Sequence, residues 1–287
     1  MIKFFCGGPI KSGTTFLQRL LDSHPKVICP PEVVLNDLLS DLLNCQKRHN
    51  LRSIRNAETF GIEPKIASEE IFIEGFYKII DRFMSAKEEN TEAFGINDNH
   101  FLIYNAKSIL DYFKKSKIIY IVRNPFDTGL STWDHFLKLY KKTKNPAFLN
   151  NIGLNKVLDK NKFLINNAKE WNEIINVLLK NLKENPKRII ILKYENLCLK
   201  TPQEIRKIFN FLEIEITNPM LKKITKESSL SFMKAKSSNP DFYSHGRLDF
   251  GIGKIDEKNI NKINEITKGN LSLLGYSFEE KKLMFPS

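Results

Sequence analysis

The chain has 287 residues, 45 Lys and Arg against 33 Asp and Glu, and 41% hydrophobic residues. That composition supports a sizeable core and excludes global disorder, and no apolar run reaches the roughly 18 residues of a membrane-spanning helix. Four scattered cysteines and five histidines show no CxxC, HExxH or HxH spacing, so no metal centre is expected. The net charge of +12 suits anionic partners, whether nucleotides, phosphosugars, nucleic acid or an anionic membrane surface, and solvated lysine faces explain it equally well. The N-terminus carries no export signal, which implies a cytoplasmic protein with reduced thiols.

In chain order, Ile2–Cys6 reads as a strand entering a glycine loop, and Thr14–Leu21 as a helix. Residues 32–46 and 68–86 read as helices separated by a polar, irregular stretch at 47–67. We take 33–92 as a mainly helical insertion in a single domain spanning 1–287, placed to shape an acceptor site. Ala93–Ile96 is a short strand and 102–113 a helix. Lys117–Val122 is a continuous apolar run of the kind buried parallel strands show. Asn124-Pro125 then predicts an N-cap and first helical position, opening a helix to about 140. A polar stretch at 141–161 reads as a mobile loop and 163–184 as a long helix. Arg188–Lys193 is a second buried strand, leading into Tyr194-Glu195-Asn196-Leu197. Helices at 202–213 and 218–227, a Gly- and Ser-rich loop at 237–254 and a helix at 256–274 complete the chain. Strands alternating with helices predict an α/β fold: a P-loop-like, three-layer arrangement with a central parallel sheet flanked by helices.

The strongest local signal is Gly8-Pro9-Ile10-Lys11-Ser12-Gly13-Thr14-Thr15 between a strand and a helix. Gly8 and Gly13 have P-loop spacing, but the lysine slot holds Thr14 and the cation has moved to Lys11. Backbone N–H groups at a helix start, three hydroxyls (Ser12, Thr14, Thr15) and one ammonium suit a phosphate. The two clear later strands end in Arg123 and in Tyr194-Glu195, not in the aspartate that holds Mg²⁺ in nucleotide kinases. In an open parallel sheet ligands bind beyond the carboxyl ends of the strands. Arg123 and Ser131 therefore form a candidate second phosphate site beside Lys11.

With both motifs in view, the chain resembles the sulfotransferases that use 3′-phosphoadenosine-5′-phosphosulfate (PAPS). Pro9 to Thr15 resembles their 5′-phosphosulfate loop, which makes Lys11, Ser12, Gly13, Thr14 and Thr15 candidate ligands. Ile121 to Ser131 resembles their 3′-phosphate motif, with Arg123 and Ser131 in the binding slots. Tyr194-Glu-Asn-Leu197 resembles a segment whose tyrosine lies near the adenine, and Gly246 to Lys254 a loop that closes on the 3′-phosphate through Arg247 and Lys254. The run Leu21 to Glu32 resembles the tyrosylprotein type, which implies Glu32 as general base; His100, in the slot that small-molecule members use, is the other candidate.

The resemblance implies in-line transfer of a sulfuryl group from PAPS, as co-substrate and without a metal, to a hydroxyl or amine. The acceptor class stays open among a small alcohol, a glycan, a lipid and a peptide, as does the oligomeric state. No nucleic-acid or membrane partner is expected. The alternatives are a small-molecule P-loop kinase using ATP and Mg²⁺, and a non-catalytic relative that binds anions or nucleic acid.

Overall fold

The computed structural model describes residues 1–85, 90–150, 159–236, 248, 252–279 and 282–284. Five parallel strands form its central sheet: β1 (Ile2–Gly7), β2 (Val27–Ile28), β3 (Ala93–Asn97), β4 (Lys117–Val122) and β5 (Ile189–Lys193), in the order β2-β3-β1-β4-β5. Register along β1 runs Phe4 opposite Gly95 on one side and opposite Lys117 on the other.

Strand alternation divides the core into two layers. From β4, Ile118, Tyr120 and Val122 face one layer, which packs under α3 (Glu69–Phe83), α4 (His100–Tyr112), α5 (Pro125–Thr143), α7 (Lys160–Glu184) and α12 (Glu257–Leu273). Ile119 and Ile121 face the other, under α1 (Thr14–Asp22), α8 (Tyr194–Leu199), α9 (Thr201–Phe211) and α10 (Asn218–Glu227). A strand covered on both faces must be apolar at every position, which is why Lys117–Val122 reads as an unbroken run. The predicted α/β architecture, a parallel sheet flanked by helices, is the one observed.

Several local expectations need correction. The stretch 47–60 is not irregular: α2 (Leu35–Phe60) runs through it and ends where Gly61 turns left-handed at φ 64°. Its polar residues are used rather than solvated. Gln46 and Asn50 donate to the Ala67 carbonyl at 2.7 and 2.8 Å, and Asn50 Oδ1 accepts from the Ala67 N–H at 2.8 Å. The return segment at 61–68 is thereby pinned to α2, a pairing that periodicity does not reveal. The proposed mobile loop at 141–161 is instead the end of α5, the short α6 (Ala147–Asn150) and the start of α7, with 151–158 outside the described residues. β2 at the sheet edge is only two residues long and was missed for that reason. The seven-residue α11 (Leu230–Lys236) also lies outside the predicted elements. The predicted loop at 237–254 lies mostly outside the described residues; its end forms a 3₁₀ turn at Ile252–Lys254. A C-terminal hairpin pairs β6 (Ser277–Glu279) with β7 (Lys282–Met284).

Candidate active site

Because all five strands are parallel, their carboxyl ends share one edge. The loops after β1, β2, β3, β4 and β5 meet there around a cleft of about 1430 Å³. Lys11, Gly13, Thr14, Thr15, Glu32, His100, Arg123, Ser131 and Tyr194 all line it. Residues as far apart in sequence as Lys11 and Tyr194 therefore reach one volume through topology alone.

The loop after β1 is tightly built. A Cβ on Gly8 would stand 2.0 Å from the Ile121 carbonyl oxygen, so the loop lies directly against β4. Lys11 adopts a left-handed backbone at φ 62°, unusual for a residue with a side chain, and Gly13 does so at φ 98°. A Cβ on Gly13 would strike the Tyr194 ring at 2.4 Å. No side chain caps α1, which leaves its first N–H groups at the cleft. Ser12 Oγ is fully buried without a hydrogen-bond partner. Burial lowers the Lys11 ammonium to a pKa of about 8, against the opposing pull of the Glu32 carboxylate. An anion at this loop would meet N–H donors and a partly desolvated ammonium, so the cradle fits a phosphate or sulfate group.

Arg123 leaves the end of β4 and is nearly buried. Its Nη2 donates to Asp127 Oδ2 at 2.9 Å, and its guanidinium lies 4.6 Å from the Tyr194 ring centre. The Tyr194 ring thus packs against both Gly13 and the Arg123 guanidinium. Its hydroxyl is held protonated by burial. The Arg123 carbonyl accepts from Trp171 Nε1 at 2.9 Å, and Asn124 caps α5 by accepting from the Asp127 N–H at 2.8 Å, as the Asn-Pro signal predicts. Ser131 lies two turns into α5 on the cleft side.

On the opposite wall, Asn99 Nδ2 donates to Glu32 Oε1 at 2.9 Å. His100, the first residue of α4, is exposed beside them, with its ring 5.6 Å from that of Tyr104. Arg247 lies outside the described residues. Lys254 is exposed in the 3₁₀ turn, where its carbonyl accepts from Lys160 Nζ at 3.4 Å, and it does not line the cleft. None of the described lining residues comes from α2 or α3. Among the described residues no group of three or more His, Cys, Asp and Glu is placed to hold a metal ion.

Three residues of the site escaped sequence reasoning. His135, one turn beyond Ser131, lines the cleft; burial, then the Lys11 and Lys138 charges, push its pKa down to about 4, so it is neutral at pH 7. The i, i+4 spacing from Ser131 was the available signal. Asp98 follows β3 but is committed to the fold: Oδ1 accepts from the Phe101 N–H and Oδ2 from the Leu35 N–H, both at 2.8 Å. Glu195, fully buried, accepts from the Asn124 N–H at 3.0 Å and Asn124 Nδ2 at 2.9 Å, while its other oxygen accepts from the Tyr276 hydroxyl at 2.6 Å.

The family model described as "Sulfotransferase domain" matches residues 2–268. The chain belongs to the sulfotransferase family. A Caenorhabditis briggsae relative named as a protein-tyrosine sulfotransferase is 24% identical over 282 residues, covering 97% of this chain and 90% of that one. The mouse sulfotransferase SULT7A1, solved in complex with PAP (the 3′,5′-bisphosphate product of PAPS), shares the fold at a TM-score of 0.60 and 18% identity, over 94% of this chain and 83% of that one. A sulfotransferase domain from the curacin biosynthetic pathway shares it at a TM-score of 0.53 and 17% identity, over 96% and 98%. These two structural likenesses concern the fold.

Proposed function

We propose that this chain transfers a sulfuryl group from PAPS to an acceptor hydroxyl or amine. The observation that supports the proposal is that the Lys11–Thr15 loop, Arg123 and Ser131 reach one cleft, with Gly13 and the Arg123 guanidinium both against the Tyr194 ring, as two anion-binding stations would require. PAPS supplies an activated sulfuryl group at its 5′ end and carries a separate phosphate at its 3′ position. Lys11, Thr14 and the first N–H groups of α1 would balance negative charge at the 5′ end, where a preorganised donor is typically worth about 3 kcal/mol of barrier. Arg123 and Ser131 would hold the 3′-phosphate, with Tyr194 and Gly13 fixing the spacing between the stations. The Asp127 carboxylate and the Tyr194 ring preset the Arg123 guanidinium, so little side-chain freedom is lost on binding.

Glu32 would accept the acceptor proton, with the Asn99 amide holding one of its oxygens at the cleft wall. General-base help of this kind contributes roughly 10²–10⁴-fold. His100, beside it on the same wall, is the alternative base. Among a small alcohol, a glycan, a lipid and a peptide, the name of the C. briggsae relative favours a protein tyrosine hydroxyl as acceptor.

The test is thermal unfolding with PAP in EDTA, and with ATP plus Mg²⁺ in parallel. PAP at about 100 times its dissociation constant should add roughly 2.7 kcal/mol to stability. Stabilisation by PAP and not by ATP is the expected result. Stabilisation by ATP and Mg²⁺ alone would overturn the assignment in favour of a kinase.

A further inference from the structure

The hairpin of α2 and α3 contributes nothing to the described walls of the cleft, yet it carries a densely apolar and basic surface. Leu51 is 62% exposed, Phe60 73%, Ile62 65% and Ile66 62%, all within sixteen residues around the hairpin tip. Single exposed apolar residues are ordinary, but a cluster this dense marks an interaction surface. The exposure is built in. Ser53 Oγ donates to the Lys65 carbonyl at 2.8 Å, the Ile62 N–H to the Ala57 carbonyl at 3.0 Å, and Ala67 is held by Gln46 and Asn50. These bonds fix the return segment so that Ile62 and Ile66 stay outside instead of folding onto α2.

The charges on this surface select its partner. Arg48, Leu51, Arg52 and Arg55 fall at i, i+3, i+4 and i+7, which places three guanidinium groups around one leucine on a single helix face. Between 47 and 66 there are five Lys or Arg against two Glu (Glu58 and Glu63), and all seven are exposed; Glu69 and Glu70 follow at the start of α3. A two-fold contact between copies through this face would gather two sets of Arg48, Arg52 and Arg55 in one interface, which disfavours self-association. A nucleic acid would match the arginines and leave Phe60, Ile62 and Ile66 in water. An anionic lipid surface matches both: apolar side chains enter the boundary between headgroups and acyl chains, while cations above them meet lipid phosphates and carboxylates.

We propose that the tip of the α2–α3 hairpin adsorbs to membranes rich in anionic headgroups. Among the described residues no helix is long and apolar enough to cross a membrane. It replaces the sequence-based expectation of no membrane partner. At 1.5 Å per residue, the 26 residues of α2 span about 39 Å, enough to set the tip well away from the Glu32 wall of the cleft.

The experiment is flotation of the purified full chain with vesicles of phosphatidylcholine alone or containing about 30% phosphatidylserine. The wild type is expected to float with the anionic vesicles only. A cation within a Debye length of such a surface adds about fivefold to binding, and Arg55 lies about 8 Å along α2 from Phe60 against about 12 Å for Arg52 and about 18 Å for Arg48, so Arg48→Gln, Arg52→Gln and Arg55→Gln together should weaken partition about tenfold. Phe60→Ser, Ile62→Ser and Ile66→Ser together should weaken it more than tenfold. All six side chains are exposed, so the unfolding midpoint should hold; if the apolar triple lowers it, Phe60→Ser alone serves. Failure of the wild type to float, equal flotation on neutral vesicles, or wild-type flotation by either variant would overturn the proposal. So would a concentration-dependent dimer abolished by the apolar variant, which would make a second copy the occupant.

Discussion

Replacing Glu195 by alanine should damage stability and nucleotide binding together. Its carboxylate accepts three hydrogen bonds, from the Asn124 N–H, Asn124 Nδ2 and the Tyr276 hydroxyl, and all three residues are almost completely buried. A buried donor left without an acceptor costs about 1–3 kcal/mol, so Glu195→Ala should lose about 4 kcal/mol. For a chain of this length about 1 kcal/mol corresponds to about 2 °C, which predicts a midpoint roughly 8 °C lower in a thermal scan. Asn124 is the residue after Arg123 and the cap of α5, so the same variant should bind PAP more weakly than the wild type at a temperature where both are folded. Glu195→Gln keeps one oxygen for Asn124 and can donate its amide to the Tyr276 oxygen, so it should lose only about 1 kcal/mol. A Glu195→Ala midpoint within about 2 °C of the wild type, or a Gln variant as damaged as the Ala variant, would refute the reasoning.

The two anion stations should separate kinetically. Lys11→Ala should lose turnover with a modest loss of PAP affinity, whereas Arg123→Ala should mainly lose affinity by calorimetric titration; the reverse pattern would mean the stations are exchanged. Glu32→Gln should retain PAP binding and lose about 10²–10⁴-fold in turnover, with Asn99→Ala losing less, and unchanged turnover in Glu32→Gln would move the base to His100. Since burial brings Lys11 to about 8, kcat/KM should fall as pH rises through about 8 while the ammonium loses its proton. Lys11→Arg, charged throughout that range, should abolish this alkaline limb; a limb that persists belongs to another group. His135 is lowered to about 4 from the ordinary histidine value of 6.5. Between those values the unfolded chain binds the extra proton, so the folded state should lose stability on acidification from about 6.5 towards 4. His135→Gln should flatten that loss in chemical denaturation series.

Much of this protein is readable from sequence alone, because the decisive signals are local. A strand buried on both faces must be apolar at each position, which exposes Lys117–Val122 and Arg188–Lys193. Asn124-Pro125 announces a helix through one side-chain acceptor and one fixed dihedral. The glycines at 8 and 13 mark a backbone that leaves no room for a Cβ against β4 at one end and turns left-handed at the other. Lys11, Arg123 and Ser131 could be named because each occupies a fixed place relative to a strand end.

What only the tertiary structure decided depends on residues distant in the chain. Glu195 meets Asn124 and Tyr276 across 71 and 81 positions, and Asp98 holds the Leu35 amide across 63. No local periodicity encodes such pairs. The helical character of 47–60 was hidden because polar side chains in and just before it, Gln46, Asn50 and Ser53, are spent on backbone carbonyls 12 to 21 residues further on, so polarity there signals a partner and not a loop. The meeting of Glu32, Asn99, His100 and His135 around Lys11 follows from the parallel order of the strands, which brings every carboxyl end to one edge and assembles the cleft from five separate loops.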